Sequence, residues 1–390
     1  MNSKSFNLYI LCLIILILDG AHSLITFVYL PGFRTLLGLL TMCLFMVIYP
    51  SKKITLPAIL LYVFIVMGLI IQHRGDVFFS FLVRLPVLSL FLLKRKDLKI
   101  VADRIEKFFF ILISISFVIY VLTNLLDVTL PSEKEVYHQY KLQNYYYIYV
   151  NSLKYGIKFT GFTLEPGYFA LLCICLLALN EFKFNKKSSY VYVTSILFSL
   201  SLEGYILLIV GLIVSAICRE GRVTKAMKYI LIIIGIIITG ICIALNYNGG
   251  DNAVSEFIFE RLVFDDEKGI IGNNRESIGA ELLIDPVFNS NRVWLGIGER
   301  DFFNLINGHD ICSWRAFVLI YGAVYTIILI CVSIIGFSKT VLRKTIPFFV
   351  LFWMDFFPHG GPFFEVMYFL IIIFLLNPKR DMVYEKYAKS

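Results

Sequence analysis

Long apolar runs, recurring from one end of the chain to the other, most constrain what this sequence can fold into. Twelve are read, at about 6–24, 32–50, 55–72, 76–93, 107–127, 164–182, 188–202, 204–218, 227–246, 313–337, 343–357 and 361–377. A transmembrane β-barrel alternates polar and apolar residues in ten-residue pieces. Unbroken runs of this length instead predict helices that cross a bilayer. Composition agrees, with 58% hydrophobic and only 16% charged residues among 390. A soluble domain carries about a quarter charged residues and exposes too much surface to be apolar throughout. The expected fold is therefore all-α and polytopic, a single integral membrane domain over 1–390 with about 12 transmembrane helices. That reading excludes a soluble enzyme and a fibrous or low-complexity chain.

Charge sets the expected orientation. The net charge of +8 reflects basic cytoplasmic loops rather than a nucleic-acid surface. Lys94-Arg95-Lys96, Lys183 with Lys186-Lys187, Arg219 to Lys228, Lys339 to Lys344 and Lys379-Arg380 fall in alternate loops. Both termini are expected in the cytoplasm, and two long loops, 128–160 and 247–312, outside. Lys4 and the Ala21-His22-Ser23 triplet flank the first run as in a signal peptide, but an uncleaved span is expected, since the rest of the chain also stays in the membrane. Seven of the eight cysteines lie within apolar runs without metal-ligand spacing, so neither a disulfide nor a structural zinc is expected. The larger loop is acidic and should carry one or two short helices on the outer membrane face. One is expected from Asn274 through Leu283, stopped by Pro286.

Ionisable residues gather on one side in this topology. All five histidines, His22, His73, His138, His309 and His359, fall at or beyond outer span ends, and Asp19, Glu165, Glu203, Asp355 and Glu365 map to the outer third. Charges in lipid are costly and face a cavity or a partner, so this clustering predicts a hydrophilic cavity open to the outside. Arg84, near the middle of the fourth run, is the exception. Seven tyrosines lie between Tyr137 and Tyr155. Interfacial belts use tyrosine in this way, and tyrosine faces also stack on sugars.

Three blocks, in order, carry a family likeness. Lys158-Phe159-Thr160-Gly161-Phe162-Thr163-Leu164-Glu165-Pro166-Gly167-Tyr168-Phe169-Ala170 opens a run with a Gly, a Phe and a Glu-Pro pair. Ser199-Leu200-Ser201-Leu202-Glu203-Gly204-Tyr205 breaks two short runs. Asn274-Arg275, Pro286, Leu295-Gly296-Ile297-Gly298, His309-Asp310 and Tyr321-Gly322 follow in the larger loop. Together they resemble the Wzy-type polymerases of O-antigen and capsular polysaccharide repeat units, with the related O-antigen ligases. The likeness covers residues 158–325, under half the chain. Lys158 stands where the family has arginine, and Asp310 follows the histidine where Asn or Ser is usual.

The resemblance implies glycosyl transfer on the outer face of the bacterial cytoplasmic (inner) membrane, in lipopolysaccharide or capsule synthesis. The implied donor is a growing glycan on undecaprenyl diphosphate, and the acceptor is a hydroxyl of one lipid-linked repeat unit. The implied partners are these undecaprenyl-diphosphate-linked glycans, the lipid bilayer, a chain-length regulator and a flippase, with no nucleic acid and no cofactor. The leaving diphosphate needs cations, which arginine supplies bidentately, and the acceptor hydroxyl needs a base. Arg275, Arg292, Lys158 and Arg84 are the candidate diphosphate ligands. His309 is the candidate base, with Glu165 as second base or as orienter. Asp265-Asp266-Glu267 reads as an exposed acidic turn rather than a cation site. No D-x-D triplet and no phosphate-binding G-x-x-x-x-G-K-[ST] loop occurs, so neither metal-assisted use of a nucleotide sugar nor an ATP engine is expected. An O-antigen ligase acting on lipid A-core, a lipid-linked oligosaccharide transporter or flippase, and a membrane scaffold are the alternatives.

Overall fold

The structure is a computed structural model. It describes residues 3–29, 33–49, 86, 89, 90, 93–137, 140–153, 156–220, 235, 246, 264, 265, 269, 270, 278–307, 314–328, 350, 351 and 354. The first helices are α1 (Ser3–Gly20), α2 (Leu24–Tyr29), α3 (Phe33–Ile48) and α4 (Arg95–Tyr120). α4 starts polar, with Asp97 favourably placed in its first turn. From Phe108 onward it is almost wholly apolar and continues into a π-helical turn, Val121–Leu125. Three antiparallel strands follow: β1 (Glu133–Tyr137), β2 (Tyr140–Tyr145) and β3 (Tyr149–Ser152), in the order β1-β2-β3. Next come α5 (Pro166–Leu179), α6 (Lys187–Phe198) and α7 (Leu202–Glu220).

Residues 278–322 pack around a small core of their own. A short β4 (Phe264–Asp265) pairs with β5 (Gly269–Ile270), and α8 (Ile278–Phe288), a 3₁₀ turn (Asn291–Trp294), α9 (Glu299–Ile306) and α10 (Trp314–Tyr321) follow. The expected helix stopped by Pro286 instead runs two residues past it, to Phe288. A proline there forfeits a hydrogen bond only in the final turn.

The twelve-span, all-α expectation is not met. Among the described residues one helix, Lys96–Leu125, is long and apolar enough to cross a membrane, and the 128–160 segment holds a β-sheet. The apolar helices Leu36–Ile48, Pro166–Leu179 and Leu202–Ile217 have 17 residues or fewer, whereas a bilayer crossing takes about 20. Counting apolar residues overstates helix length wherever the backbone turns within an apolar run. The run at 164–182 begins with the Glu165-Pro166 pair, and its helix ends before Glu181 and Phe182, both left-handed at φ 56° and 50°. The run at 188–202 ends its helix at Phe198, ahead of Leu200 at φ 46°.

α5 is apolar on every side because it is buried on nearly every side, from Phe169 through Ala178. α1, α3, α4, α6 and α7 share its core, and Leu351 joins them. The Tyr9 and Ser89 hydroxyls share a hydrogen bond of 2.7 Å, and the Tyr49 hydroxyl, just after α3, donates to Asp97 Oδ2 at 2.5 Å in the first turn of α4. At the α5–α6 turn, Ser188 Oγ and Asn180 Nδ2 donate to Glu106 Oε1 at 2.5 and 3.1 Å, while Lys186 lies 3.8 Å from its Oε2. A second small core holds Ile284, Phe302, Ile306, Ala316 and Leu319.

Candidate active site

The site is built on the loop that enters α5. Its local folding follows from glycine, threonine and aromatic residues. Gly161 is left-handed at φ 58°, and a Cβ there would run into the Phe169 ring. The Thr163 hydroxyl lies 2.8 Å from the carbonyl oxygens of both Thr160 and Glu165, tightening the turn. Val150 N–H donates to the Gly161 carbonyl at 2.7 Å, and the Thr160 hydroxyl donates back to the Val150 carbonyl, which fastens the loop to β3. Phe159 packs edge-on against Phe169 at 4.7 Å and against Phe117 at 5.4 Å.

Lys158 is pinned from both sides. The Tyr120 hydroxyl donates to the Ile157 carbonyl at 2.9 Å, and Phe159 N–H donates to the Phe198 carbonyl at 2.9 Å. The lysine is 3% exposed. A buried ammonium requires compensating partners, and three acids approach this end of the bundle. Glu165 is the N-cap residue of α5, extended at φ −136° and half-buried, with Pro166 beginning the helix. Glu203 stands in the first turn of α7, and a Cβ on Gly167 would lie 3.9 Å from its Oε2. Both carboxylates thus sit where a helix dipole favours negative charge. The helices meet tightly here, because a Cβ on Gly204 would come within 2.6 Å of the Ala170 Cβ.

The third acid, Asp19, arrives with His22 at the end of α1. His22 N–H donates to the Asp19 carbonyl at 3.1 Å, and Ser23 N–H to the Leu18 carbonyl at 3.0 Å. That pattern is a Schellman cap, with His22 in the left-handed position at φ 53°. The chain then pairs with the α5 loop. Leu24 N–H donates to the Phe162 carbonyl and Leu164 N–H to the His22 carbonyl, each at 3.2 Å, around the antiparallel bridge Ser23–Thr163. The imidazole consequently stacks on Tyr168, centroids 4.3 Å apart and planes within 5°.

Of the sequence-predicted site residues, the structure thus brings Lys158 and Glu165 into one loop. Arg292 lies elsewhere, exposed in the 3₁₀ turn, where its N–H donates to Ser290 Oγ at 3.2 Å. His309, Arg275 and Arg84 lie outside the described residues, as do Asp355 and Glu365. His22, Tyr168 and Glu203 were not predicted as site residues. His22 and Glu203 carried a signal, since both mapped to outer span ends, but the Ser23–Thr163 bridge is what brings His22 to the α5 loop, and the α5–α7 packing at Gly167 and Gly204 is what brings Glu203 there. Arg315 was also missed, because it falls inside an expected span. It pairs with Asp285 and sits 5.1 Å over the Phe288 ring. Among the described residues no group of three His, Cys, Asp or Glu is placed to hold a metal ion.

The family-like blocks sort themselves by contact. The first two meet at Ala170–Gly204, and Phe159 of the first also bonds Phe198, the residue just before the second. The third folds on itself: Ile297 N–H donates to the Leu319 carbonyl at 2.7 Å, Gly298 N–H to that of Ile320 at 3.2 Å, and Gly296 lies against Gly322. No family model, curated protein or solved structure matches the chain.

Proposed function

We propose that this chain is a membrane-embedded glycosyltransferase that joins lipid-diphosphate-linked oligosaccharide repeat units on the outer face of the bacterial cytoplasmic membrane. The observation that carries the reading is that the loop into α5, with Lys158 and Glu165, pairs with the chain at His22 after α1, while α5 packs on the start of α7 at Glu203. A membrane setting is supported by the outward stripe Ile111, Ile115 and Val118 on α4, large apolar side chains at helical spacing on the one helix of spanning length.

In this reading the acceptor hydroxyl attacks the anomeric carbon of the donor glycan, and the bond to the lipid diphosphate breaks. Glu165, half-exposed at the mouth of the loop, accepts or orients the acceptor proton. His309, the base expected first from the sequence, lies outside the described residues and becomes the alternative, with Arg275, Arg292 and Arg84 the cations for the diphosphate. Lys158 is too buried to lie first in a substrate's path. It is part of the folded loop that carries Glu165. Tyr168 and His22 together offer a flat wall beside them.

Purified protein in nanodiscs, given undecaprenyl-diphosphate-linked repeat units, should yield a ladder of longer glycans. Glu165→Gln should slow it by roughly 10²-fold or more, the usual worth of a positioned proton acceptor. Absence of any ladder from correctly folded protein sinks the reading. In cells, gene deletion should leave surface glycan at one repeat unit, whereas loss of all repeats would indicate a ligase or flippase.

A further inference from the structure

The tip of the β2–β3 hairpin is built against local preference. Its turn is closed by the Ile148 N–H donating to the Tyr145 carbonyl at 3.2 Å. Both central residues, Tyr146 and Tyr147, are left-handed, at φ 55° and 60°. Such a turn usually takes Asn-Gly, because a Cβ crowds the adjoining carbonyl when φ is positive. Tyr147 makes a contribution to packing, lying partly buried on Leu24, Leu142, Val150 and Leu164. Its N–H also donates to Asn144 Oδ1 at 2.7 Å. Tyr146 makes little such contribution, being 65% exposed. Backbone strain kept under a ring that adds little to the core points to a use outside the chain.

Location indicates the use. Leu24 and Leu164, beneath Tyr147, are close in sequence to His22 and adjacent to Glu165, so the hairpin tip is anchored to the ionisable cluster. The partly exposed Gln143 on β2 and Glu135 on the neighbouring β1 add an amide and a carboxylate to the same sheet, with Asn144 buried between them. Asn144 Nδ2 donates to Glu135 Oε1 at 2.7 Å, and Gln143 Nε2 to Ser132 Oγ at 2.9 Å. A pyranose offers one face of slightly positive C–H bonds, which suits the electron-rich face of tyrosine, and a rim of hydroxyls, which suits amides and carboxylates.

We infer that the Tyr146–Tyr147 tip is a carbohydrate platform that holds a sugar of the glycan beyond the bond formed at the Glu165 cluster. The inference rests on the glycosyl-transfer reading, and its test separates the two. The probe is the oligosaccharide repeat released by mild acid from the surface glycan of the cell that carries the gene. It is titrated into full-length protein in zwitterionic nanodiscs. Tyr146→Asn, which tolerates the left-handed backbone, should weaken binding roughly tenfold or more while the thermal midpoint holds or rises. Equal affinity in the variant overturns the platform, as does failure of the unsubstituted protein to bind. Tyr146→Trp emission, taken as a difference against the unsubstituted protein, should respond to the oligosaccharide. Quenching by brominated lipid would make the tip a membrane anchor and overturn the platform. Loss of binding in Tyr146→Asn without any ladder from the unsubstituted protein upholds the platform and removes the polymerase. Identical ladders and affinities from both do the reverse.

Discussion

Two parts of the molecule use glycine for close approach, but against different neighbours. In the bundle of α1 and α3–α7, Gly161 and Gly211 make room for the rings of Phe169 and Phe182. In the smaller unit of α8–α10, Gly296 and Gly322 make room for each other's backbone: a Cβ on Gly322 would lie 2.6 Å from the Leu295 carbonyl carbon. A ring can tilt and a neighbouring rotamer can change, whereas a peptide bond held by hydrogen bonds cannot give way without moving its whole segment. Damage at a bundle glycine should therefore be relieved by trimming the facing side chain, whereas damage in the α8–α10 unit should not.

Gly322→Ala is expected to have the largest effect. It combines the backbone clash with φ +92°, and strain and overpacking together should remove about 3 kcal/mol or more. Low yield and a collapsed thermal midpoint, unrelieved by trimming nearby side chains, are the expected readouts. A midpoint within a degree or two of the parent would break the contrast. Gly161→Ala should be severe too, but partly rescued by Phe169→Leu, since the obstacle is a side chain. Failure of that rescue would show that φ +58°, rather than the ring, fixes the residue.

Glu106→Ala tests a polar contact in the bundle away from the α5 entry loop. It strands the Ser188 and Asn180 donors that now reach Oε1, and losing the shared charged acceptor should cost about 2 kcal/mol. Ladder synthesis should survive if folding does, in contrast to Glu165→Gln. In the smaller unit, Arg315→Lys keeps charge but loses the planar group over Phe288, worth about 0.5–1 kcal/mol. A double-mutant cycle with Asp285→Asn separates the ion pair from the ring contact.

The smallest effect concerns pH. Burial, and then the neighbouring Tyr120 and Tyr145, push the Tyr149 hydroxyl well above the ordinary phenol range. A raised pKa contributes stability that is complete below the unfolded value, near 10, and lost as pH climbs above it. Thermal midpoints should fall above about pH 10, less steeply in Tyr149→Phe. Equal slopes would remove Tyr149 from the alkaline transition.

Some of this was legible in the sequence and some was not. The Glu165-Pro166 pair announced a helix start, and α5 begins at Pro166. Within the Ser199–Gly204 block, Ser199-Leu200-Ser201 separates α6 from α7. Glu165 and Lys158 were recognisable because they share one short block. The sheet was hidden within a tyrosine-rich stretch whose strands pair with each other rather than with a hydrophobic partner visible in the pattern. Helix lengths were overread because left-handed Glu181, Phe182 and Leu200 carry no glycine to mark the turn. His22 and Glu203 could not be tied to Glu165 by spacing, since their meeting depends on pairing and packing between distant segments.

The Ser23–Thr163 bridge also sets a clock. Its two strands are about 140 residues apart, and synthesis at 5–20 residues per second separates their emergence by roughly 7–28 s. For that interval the end of α1 has its cap but not its strand partner. The His22–Tyr168 stack can form only after the loop into α5 has emerged. Completion of the ionisable cluster is thus a late event in assembly, and a partly made chain holds His22 without Glu165 or Glu203.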